Sequence, residues 1–306
     1  MSIQVRSERP GEEDAIDFVN CSAFEEMDEA NLVRLLRTYL PAYDRRLSVT
    51  AWDDDEMVGH TLFTPVRIRL MSETVRALMV GPVAVVPQRQ RSGIGGQMLR
   101  FGHELGRREG FALAFLYGHP SYYPRHGYRA CFGFGKVSID ADQLPQAART
   151  FRRRPVRPAD IPWLVERYEV EWADVDFAVL WGGTVGEWAL PCLNAVMWWT
   201  QDGRRAAYTV DTPGKNRCQM LLADDPELAR EVVATIRPPT LNHHPSGWLA
   251  REALDPTWST AQAEASDAAM ALELQDGALG AYLRARETGD RAPGYVFGPL
   301  PFLACC

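Results

Sequence analysis

The pattern of apolar and polar positions predicts strands and helices in turn over the first part of the chain. Ile3 to Arg6 alternates and predicts a strand, and Pro10 to Asp14 begins a helix with acidic residues in its first turn. Residues 23–39 predict a second helix. Residues 47–52 and 57–70 predict strands that form a hairpin around an acidic turn.

A strand, a glycine-containing turn, a helix and another strand follow. Residues 77–86 predict the first of these strands, and residues 94–108 predict the helix. Residues 111–117 are almost all apolar, which is typical of a central strand buried on both faces. This order predicts a parallel pair of strands joined by a right-handed crossover. A last strand over residues 130–139 completes a mixed sheet.

The second half of the chain follows a charged segment marked by proline, residues 142–158. Within it, Arg149 to Pro155 predicts a solvated linker. Beyond it, the pattern predicts a hairpin, a helix, a strand and a last helix at residues 194–199 with 205–210, 227–236, 268–272 and 277–287. We therefore expect an α/β (α+β) fold in two domains, residues 1–145 and 153–306.

Composition and charge limit the classes of protein that the chain represents. It has 306 residues, with 33 Lys and Arg against 40 Asp and Glu, a net charge of −7. This balance disfavours a nucleic-acid partner, because phosphate binding needs a basic face. The sequence has no long apolar stretch and no apolar signal core, which predicts no membrane partner. The six cysteines lack C-x-x-C spacing, so we expect reduced thiols in the cytoplasm and no metal site.

The turn at residues 88–96 has the composition of a pyrophosphate-binding turn. It follows a strand that stops at Pro87 and enters a helix through Gly93, Gly95 and Gly96. Backbone N–H groups in the first turn of a helix lack intrahelical acceptors, and the helix dipole adds positive potential there. The spacing differs from the dinucleotide fingerprint G-x-G-x-x-G, and the phosphate-loop pattern G-x-x-x-x-G-K-[ST] is absent.

A third kind of nucleotide-binding turn fits the sequence. Gln90-x-x-Gly93-x-Gly95 resembles the acyl-CoA loop of the GCN5-related N-acetyltransferases (GNAT). Val83-Ala84-Val85 resembles the apolar triplet of the family's fourth strand, and residues 56–60 resemble its hairpin motif G-x-x-V-G with an acid in place of the first glycine. Residues 123–128 resemble its closing motif Y-x-K/R-x-G-F/Y.

The resemblance covers residues 1 to about 140 and implies a GNAT fold, with a central mixed twisted sheet flanked by helices. The second half resembles a degenerate GNAT-like copy. This tandem arrangement is similar to the subgroup that includes the Eis-type aminoglycoside acetyltransferases. The resemblance implies that acetyl-CoA is the cosubstrate and that the second domain shapes the acceptor site.

The resemblance also assigns roles to individual residues. Backbone groups of Val83 and Val85 would pair with the pantetheine arm, and a backbone N–H of this strand would stabilise the oxyanion. Arg89 or Arg91 would lie near the adenosine phosphate. Tyr123 would protonate the departing thiolate, and its alternative role is that of an aromatic packed beside Tyr122. The implied cofactor-binding residues are Val83, Ala84, Val85, Arg91, Ser92, Gly93, Ile94, Gly95 and Gly96.

Several groups are candidates for the base that takes the proton of the attacking amine. His119 follows the fifth strand, and in Eis-type relatives the terminal carboxylate, here that of Cys306, reaches the first domain's site. Glu25 and Glu26 lie on the second predicted helix, which borders the acceptor site in this family. The sequence does not choose among them. His60 and His126 are expected to be partly exposed structural residues.

The expected activity is transfer of an acetyl group from acetyl-CoA to a primary amine of a small molecule, with Tyr123 as general acid. Three alternatives stay open on the sequence alone. The chain could be an acyl-CoA-binding regulatory module, a protein N-acetyltransferase or a nicotinamide-dependent enzyme. The identity of the acceptor and the oligomeric state, a homo-oligomer included, are not fixed by the sequence.

Overall fold

The computed structural model describes residues 3–190, 193–211, 218–289 and 294–295. The strands are β1 Ile3–Ser7, β2 Ser48–Asp53, β3 Glu56–Leu70, β4 Glu73–Val85, β5 Leu113–Tyr117, β6 Arg129–Ala130, β7 Phe132–Ile139, β8 Phe151–Pro155, β9 Phe177–Leu180, β10 Asn194–Thr200, β11 Arg205–Asp211, β12 Cys218–Leu222, β13 Thr240–Leu241, β14 Ser259–Ala265, β15 Ala269–Glu273 and β16 Gly294–Tyr295. The helices are α1 Glu13–Phe24, α2 Asp28–Tyr39, α3 Ile94–Arg108, α4 Ile161–Glu171, α5 Val185–Trp188, α6 Pro226–Ile236 and α7 Gly280–Glu287.

The chain forms two compact units, and the division between them is not a single cut in the sequence. The first unit contains the chain up to Cys131 together with Ser266–Thr288, and the second begins with Phe132–Ala265. The division therefore differs from the expected boundaries of 1–145 and 153–306. The cause is an exchange of strands, because β15 pairs antiparallel with β5 in the first unit and β7 pairs with β13 and β14 in the second.

The sheet of the first unit is mixed, as the sequence predicts. Its strand order is β1-β2-β3-β4-β5-β15-β6, and every neighbouring pair is antiparallel except β4 and β5. The chain connects β4 and β5 through α3, which confirms the predicted parallel pair and its helical connection. Residues Leu113 to Leu116 of β5 are almost completely buried, whereas Tyr117 is exposed. The apolar strand therefore lies in the middle of the sheet and ends at its surface.

Two elements of the first unit differ from the prediction. Residues 23–39 do not form one helix, because α1 ends at Phe24, the next residue Glu25 has a left-handed φ of 61°, and α2 begins at Asp28. Residues 130–139 form two strands, β6 and β7, which belong to different units. A left-handed residue cannot continue a right-handed helix, and pairing partners far along the chain decide where each short strand lies.

The second unit repeats the strand order of the first. Its sheet runs β8-β10-β11-β12-β13-β7, with α6 joining the parallel pair β12 and β13. The predicted hairpin is confirmed as β10 and β11. One hydrophobic cluster packs α6 against this sheet, and another packs α4. The order of β1 to β5 in the first unit is thus matched by β8, β10, β11, β12 and β13.

The predicted linker at Arg149 to Pro155 is wrong for most of its length. Residues 151–155 form β8, which pairs antiparallel with β10. In the sheet order β8 has only β10 beside it among the described strands. An edge strand accepts charged residues and proline, since one side of its backbone faces no partner strand. The run of arginines therefore masked a strand.

Candidate functional site

Strands β4 and β5 separate at the point where the sequence predicts the ligand. They pair in parallel from Ala77 with Leu113 to Met79 with Phe115. Beyond this point β4 remains paired with β3 as far as Gly59 with Val85, after a register shift between Thr61 and Phe63. The shift gives β4 one residue more than β3, which is a bulge, and a bulge bends its strand. A wedge therefore opens between β4 and β5.

The backbone of Val83 and Val85 faces this wedge. The Val86 N–H donates to the Val58 carbonyl at 3.0 Å, and in an antiparallel pair alternate residues point toward and away from the partner strand. Ala84, opposite His60, therefore faces β3, while Val83 and Val85 face the other way. The Val85 carbonyl accepts a hydrogen bond from the Gln90 side chain at 3.1 Å.

The turn after β4 presents backbone N–H groups at the start of α3. Arg91 and Gly93 have left-handed φ values of 61° and 83°, and Gly93 caps α3 without a side-chain hydrogen bond. The first amide of this segment with an acceptor is that of Gln97, which donates to the Gly93 carbonyl at 3.1 Å. Within the described ranges, the N–H groups of residues 91–96 have no acceptor. Such a run of N–H groups binds anions.

Three arginines lie near this turn, and their environments differ. Arg89 forms an ion pair with the buried carboxylate of Asp53, so part of its charge is already compensated. Arg91 is exposed and has no ion pair in the described part of the chain. Arg100 was not singled out from the sequence. Its Nη1 lies 3.6 Å from the position of a Cβ on Gly96. The sequence signal that identifies Arg100 is its position on α3, four residues or about one helical turn after Gly96.

The absence of side chains at Gly95 and Gly96 allows the turn that follows β5 to pack closely against α3. A Cβ on Gly95 would lie 2.6 Å from the Tyr122 hydroxyl, and a Cβ on Gly96 would lie 2.7 Å from Cε1 of His126. The same position on Gly95 is 3.9 Å from Cγ1 of Val83. The glycines are thus required by packing as well as by any close approach of a ligand. They bring β4, α3 and the turn at residues 119–127 together.

Tyr123 is held by aromatic and backbone contacts. Its ring contacts the backbone of Gly118, directly after β5, and it packs edge-to-face on Tyr122 and Tyr128 at 5.0 and 5.8 Å. Burial raises the pKa of Tyr123 to about 12. The phenol is therefore protonated at neutral pH and is available as a hydrogen-bond donor.

The candidate bases are not brought together. His119 is exposed, and its carbonyl accepts from the N–H groups of Tyr122 and Tyr123 at 3.0 and 3.4 Å. Glu25 and Glu26 are exposed between α1 and α2. Cys306 lies outside the described residues. The base therefore stays an open assignment.

His60 is not partly exposed, as expected, but completely buried. Its Nδ1 accepts from Asn20 Nδ2 at 3.0 Å, so its Nε2 carries the proton and donates to Ser48 Oγ at 3.1 Å. Burial lowers the pKa of His60 to about 3. The ring is neutral and fixes β3 against α1 and β2, beside the strand pair that forms the wedge. His126 is half-exposed, in agreement with the expectation.

The equivalent turn of the second unit is closed to anions. Asp225 caps α6, and its carboxylate accepts from the N–H groups of Glu227 and Leu228 at 2.9 and 3.0 Å. Pro226 follows at the first position of the helix. A carboxylate on these N–H groups repels a phosphate and occupies its donors. The acyl-CoA features of the sequence are therefore confined to the first unit.

The described residues contain neither a metal centre nor a helix that spans a membrane. No three side chains of His, Cys, Asp or Glu in those residues lie close enough to hold a metal ion together. Among the described helices, none has the length and apolar character needed to cross a bilayer.

Comparison with known proteins supports the acyltransferase interpretation of the first unit. Residues 4–131 match the family model described as "Acetyltransferase (GNAT) domain". The chain is 36% identical over 118 residues to the uncharacterized N-acetyltransferase YjhQ of Escherichia coli. This alignment spans 38% of the chain and 63% of the length of that relative.

Solved structures share the fold over most of the chain. A probable N-acyltransferase of unknown function from Enterococcus faecalis has a TM-score of 0.69 at 12% identity, over 90% of this chain and 74% of its own. A GCN5-related N-acetyltransferase from Kribbella flavida has a TM-score of 0.67 at 17% identity, over 90% of this chain and 72% of its own. Eis1 from Mycobacterium abscessus has a TM-score of 0.62 at 16% identity, over 92% of this chain and 76% of its own. Both units therefore have a fold known from GNAT acetyltransferases, and the sequence match to the GNAT acetyltransferase domain lies in residues 4–131.

Proposed function

We propose that the chain is an N-acetyltransferase that transfers the acetyl group of acetyl-CoA to a primary amine of a small molecule. One observation carries the proposal. The outward backbone of Val83 and Val85 is continuous with the uncapped first turn of α3, so a strand-like ligand ending in a pyrophosphate fits the path. Pantetheine diphosphate has this form, with two amide groups in its extended arm.

The cosubstrate is bound mainly by the backbone. The pantetheine amides pair with the N–H and carbonyl of Val83 and the N–H of Val85, as an added strand would. The diphosphate takes the N–H groups of residues 91–96, with Ser92, Gly93, Ile94, Gly95 and Gly96 among them. Arg91 and Arg100 supply positive charge near the phosphates. This orientation directs the thioester along β4 into the wedge.

The reaction is a direct attack. The neutral amine nitrogen forms a bond to the thioester carbonyl carbon, and the oxyanion accepts a hydrogen bond from a backbone N–H of β4. The C–S bond then breaks, the sulfur leaves with the bonding electrons, and the amine gives its proton to a base. His119 and the carboxylate of Cys306 are the first candidates for that base, with Glu25 and Glu26 as the alternatives.

Tyr123 assists the departure of the sulfur. The ordinary pKa of an alkyl thiol is about 8.5, whereas that of Tyr123 is raised by burial to about 12. Complete transfer of the phenolic proton to the thiolate is therefore uphill, and we propose that Tyr123 acts chiefly by donating a hydrogen bond as negative charge develops. Solvent restores the proton to any phenolate that forms.

The second unit is assigned a supporting role. It repeats the strand order of the first unit but carries Asp225 where the diphosphate would bind. We propose that it is the degenerate GNAT-like copy and that it contributes to the acceptor site.

The test separates binding from turnover. Acetyl-CoA binding is measured by calorimetry, and thiol release is followed with a panel of small amines and with a peptide carrying free lysines. Tyr123→Phe is expected to lower kcat about 100-fold without changing the Kd for acetyl-CoA. Tyr39→Phe, at an exposed tyrosine of α2, serves as the control.

Each alternative has its own outcome. Acetyl-CoA binding without thiol release from the parent protein with any amine or peptide indicates a regulatory module. Turnover with the peptide alone indicates a protein N-acetyltransferase. Thermal stabilisation by NADH and not by acetyl-CoA indicates a nicotinamide-dependent enzyme.

A further inference from the structure

The second unit contains a cavity that the proposed reaction does not use. Its volume is about 360 Å³, and Arg152, Arg153, Arg154 and Trp199 line it. The three arginines belong to the edge strand β8, where Arg152 lies opposite Trp199 and Arg153 lies opposite Trp198. The proposed acetyl-CoA turn belongs to the first unit, so the two sites are separate.

The guanidinium groups of this cavity differ in how their charges are compensated. Arg154 donates two hydrogen bonds to the buried carboxylate of Asp160, at 2.7 and 2.8 Å. Arg205 reaches the same carboxylate at 3.8 Å. The carboxylate of Asp160 therefore compensates charge on Arg154 and Arg205, and it does not contact Arg152 or Arg153.

Arg152 and Arg153 carry the uncompensated charge, but only Arg152 shares a face of the sheet with Trp199, because successive residues of a strand alternate and Arg153 lies opposite Trp198. Arg152 donates to the carbonyl of Gln201 at 3.1 Å, which orients the guanidinium without neutralising it. Arg153 lies over the ring of Trp198, 5.2 Å from its centroid, and the acid that acts on it electrostatically is Asp211. In the described part of the chain, no carboxylate lies within ion-pair distance of either residue. The rim of the cavity is therefore cationic on a protein whose net charge is −7.

The aromatic wall of the cavity is held in place. Arg154 lies 4.9 Å and Arg205 lies 5.3 Å from the centroid of the Trp199 ring. Both guanidinium groups are themselves tied to Asp160. An indole contacted by two positioned cations loses little freedom when a ligand binds against it.

Protection of a sheet edge accounts for charge on β8, but it requires neither a cavity nor a positioned indole. We propose that this cavity binds a flat organic anion, with its carboxylate or phosphate on Arg152 and its ring against Trp199, which lies opposite Arg152 on the same face of the sheet. Arginine forks match both kinds of anionic group. The volume lies at the small end of the range for ligand sites, which fits a molecule of one or two rings.

The test uses 1-naphthyl phosphate as the probe, titrated into the full chain and followed by calorimetry. Naphthol and inorganic phosphate are titrated separately, and 1-naphthoate distinguishes a carboxylate from a phosphate. We expect saturable binding of a naphthyl anion, with both neutral naphthol and inorganic phosphate at least about tenfold weaker. Arg152→Gln is expected to weaken binding of the naphthyl anion at least about tenfold.

Arg157→Gln is the matched control, because it removes an exposed arginine close in sequence that does not line the cavity. Unfolding transitions are compared for all variants. Arg153→Gln, on the opposite face of β8, is a second control and is expected to leave the affinity unchanged. If Arg152→Gln does not fold, Arg152→Lys, which keeps the charge and loses the planar fork, carries the test and is expected to weaken binding. No saturable binding at millimolar probe, or binding that the substitutions of Arg152 do not affect, overturns the proposal and leaves edge protection as the role of these arginines. None of these results depends on acetyl-CoA binding.

Discussion

The hydroxyl oxygen of Tyr122 lies 2.6 Å from the position that a Cβ on Gly95 would occupy. This contact joins the first turn of α3, where the diphosphate is proposed to bind, to the turn that carries Tyr123. Tyr122 and Tyr123 also pack edge-to-face, with ring centroids 5.0 Å apart. The binding turn and the proposed proton donor are therefore neighbours through a single side chain.

Gly95→Ala is expected to destabilise the protein and to weaken acetyl-CoA binding. Overpacking of this kind costs about 1–3 kcal/mol, while alanine in place of glycine within a helix returns about 1 kcal/mol. Urea unfolding measures the net change, and calorimetry measures the Kd for acetyl-CoA.

Tyr122→Phe in the same chain is expected to rescue Gly95→Ala. Once the hydroxyl is gone, the nearest atom of the ring is Cζ at 3.7 Å, an ordinary contact. Gly183→Ala is the control, since no atom lies within 4 Å of a Cβ there. A double variant no more stable than Gly95→Ala alone would show that the hydroxyl contact is not the cause.

Arg91→Gln and Arg100→Gln are each expected to weaken acetyl-CoA binding about three- to tenfold, with the larger effect at low salt. Both residues are exposed cations near the first turn of α3. The titrations are repeated with dephospho-coenzyme A, which lacks the adenosine phosphate. The arginine that contacts this phosphate is the one whose substitution weakens binding of acetyl-CoA but not of dephospho-coenzyme A. Arg67→Gln, at an exposed residue of β3, should leave the affinity unchanged.

The free energy of unfolding is expected to decrease as the pH decreases, because two histidines are buried in the neutral form. Burial lowers the pKa of His60 and of His103 from 6.5 to about 3. Below pH 6.5 the unfolded chain binds a proton at each histidine that the folded chain does not, so stability is present above that pH and is lost as the pH falls toward 3. Each histidine contributes about 1.4 kcal/mol per pH unit in that window.

Urea unfolding between pH 6.5 and pH 4.5 measures this loss. In His60→Gln, the slope of the unfolding free energy against pH should be smaller than in the parent protein by the contribution of one histidine. Ring signals of His60 that titrate near pH 6.5 in the folded protein would contradict the buried, neutral assignment.

A chain ending at residue 145 is expected not to fold cooperatively. It lacks β15, which pairs with all five residues of β5 from Leu113 to Tyr117. A chain ending at residue 295 keeps every described element and should unfold cooperatively and bind acetyl-CoA. A cooperative transition of the shorter chain, measured by circular dichroism, would show that the first unit does not need the returning strand. The kcat of the chain that ends at residue 295 reports on the contribution of residues 296–306, which it lacks.

The sequence predicts local elements well where glycine and periodicity agree. Residues 94–108 form α3 with the predicted bounds, because three glycines mark its start and its apolar positions recur at helical spacing. The strand at residues 151–155 was missed because its side chains are arginines, and only the pairing with β10 makes it a strand. Sequence pattern reports which residues are apolar, and an edge strand need not be.

Contacts between distant residues could not be predicted. The pairing of Ala271 with Phe115 joins residues more than 150 positions apart, and local pattern contains no information on it. The contact of Tyr122 with Gly95 depends on how two turns pack, although the motif already singled out both turns. Likewise, the sequence predicts a partly exposed His60, and only its partners Asn20 and Ser48 show why it is buried.

A structure of the protein with acetyl-CoA tests the central claim most directly. The account predicts diphosphate oxygens within hydrogen-bond distance of the N–H groups of residues 91–96, pantetheine amides paired with Val83 and Val85, and the thioester sulfur within reach of the Tyr123 hydroxyl. Acetyl-CoA bound elsewhere, or bound with its sulfur directed away from Tyr123, would contradict it.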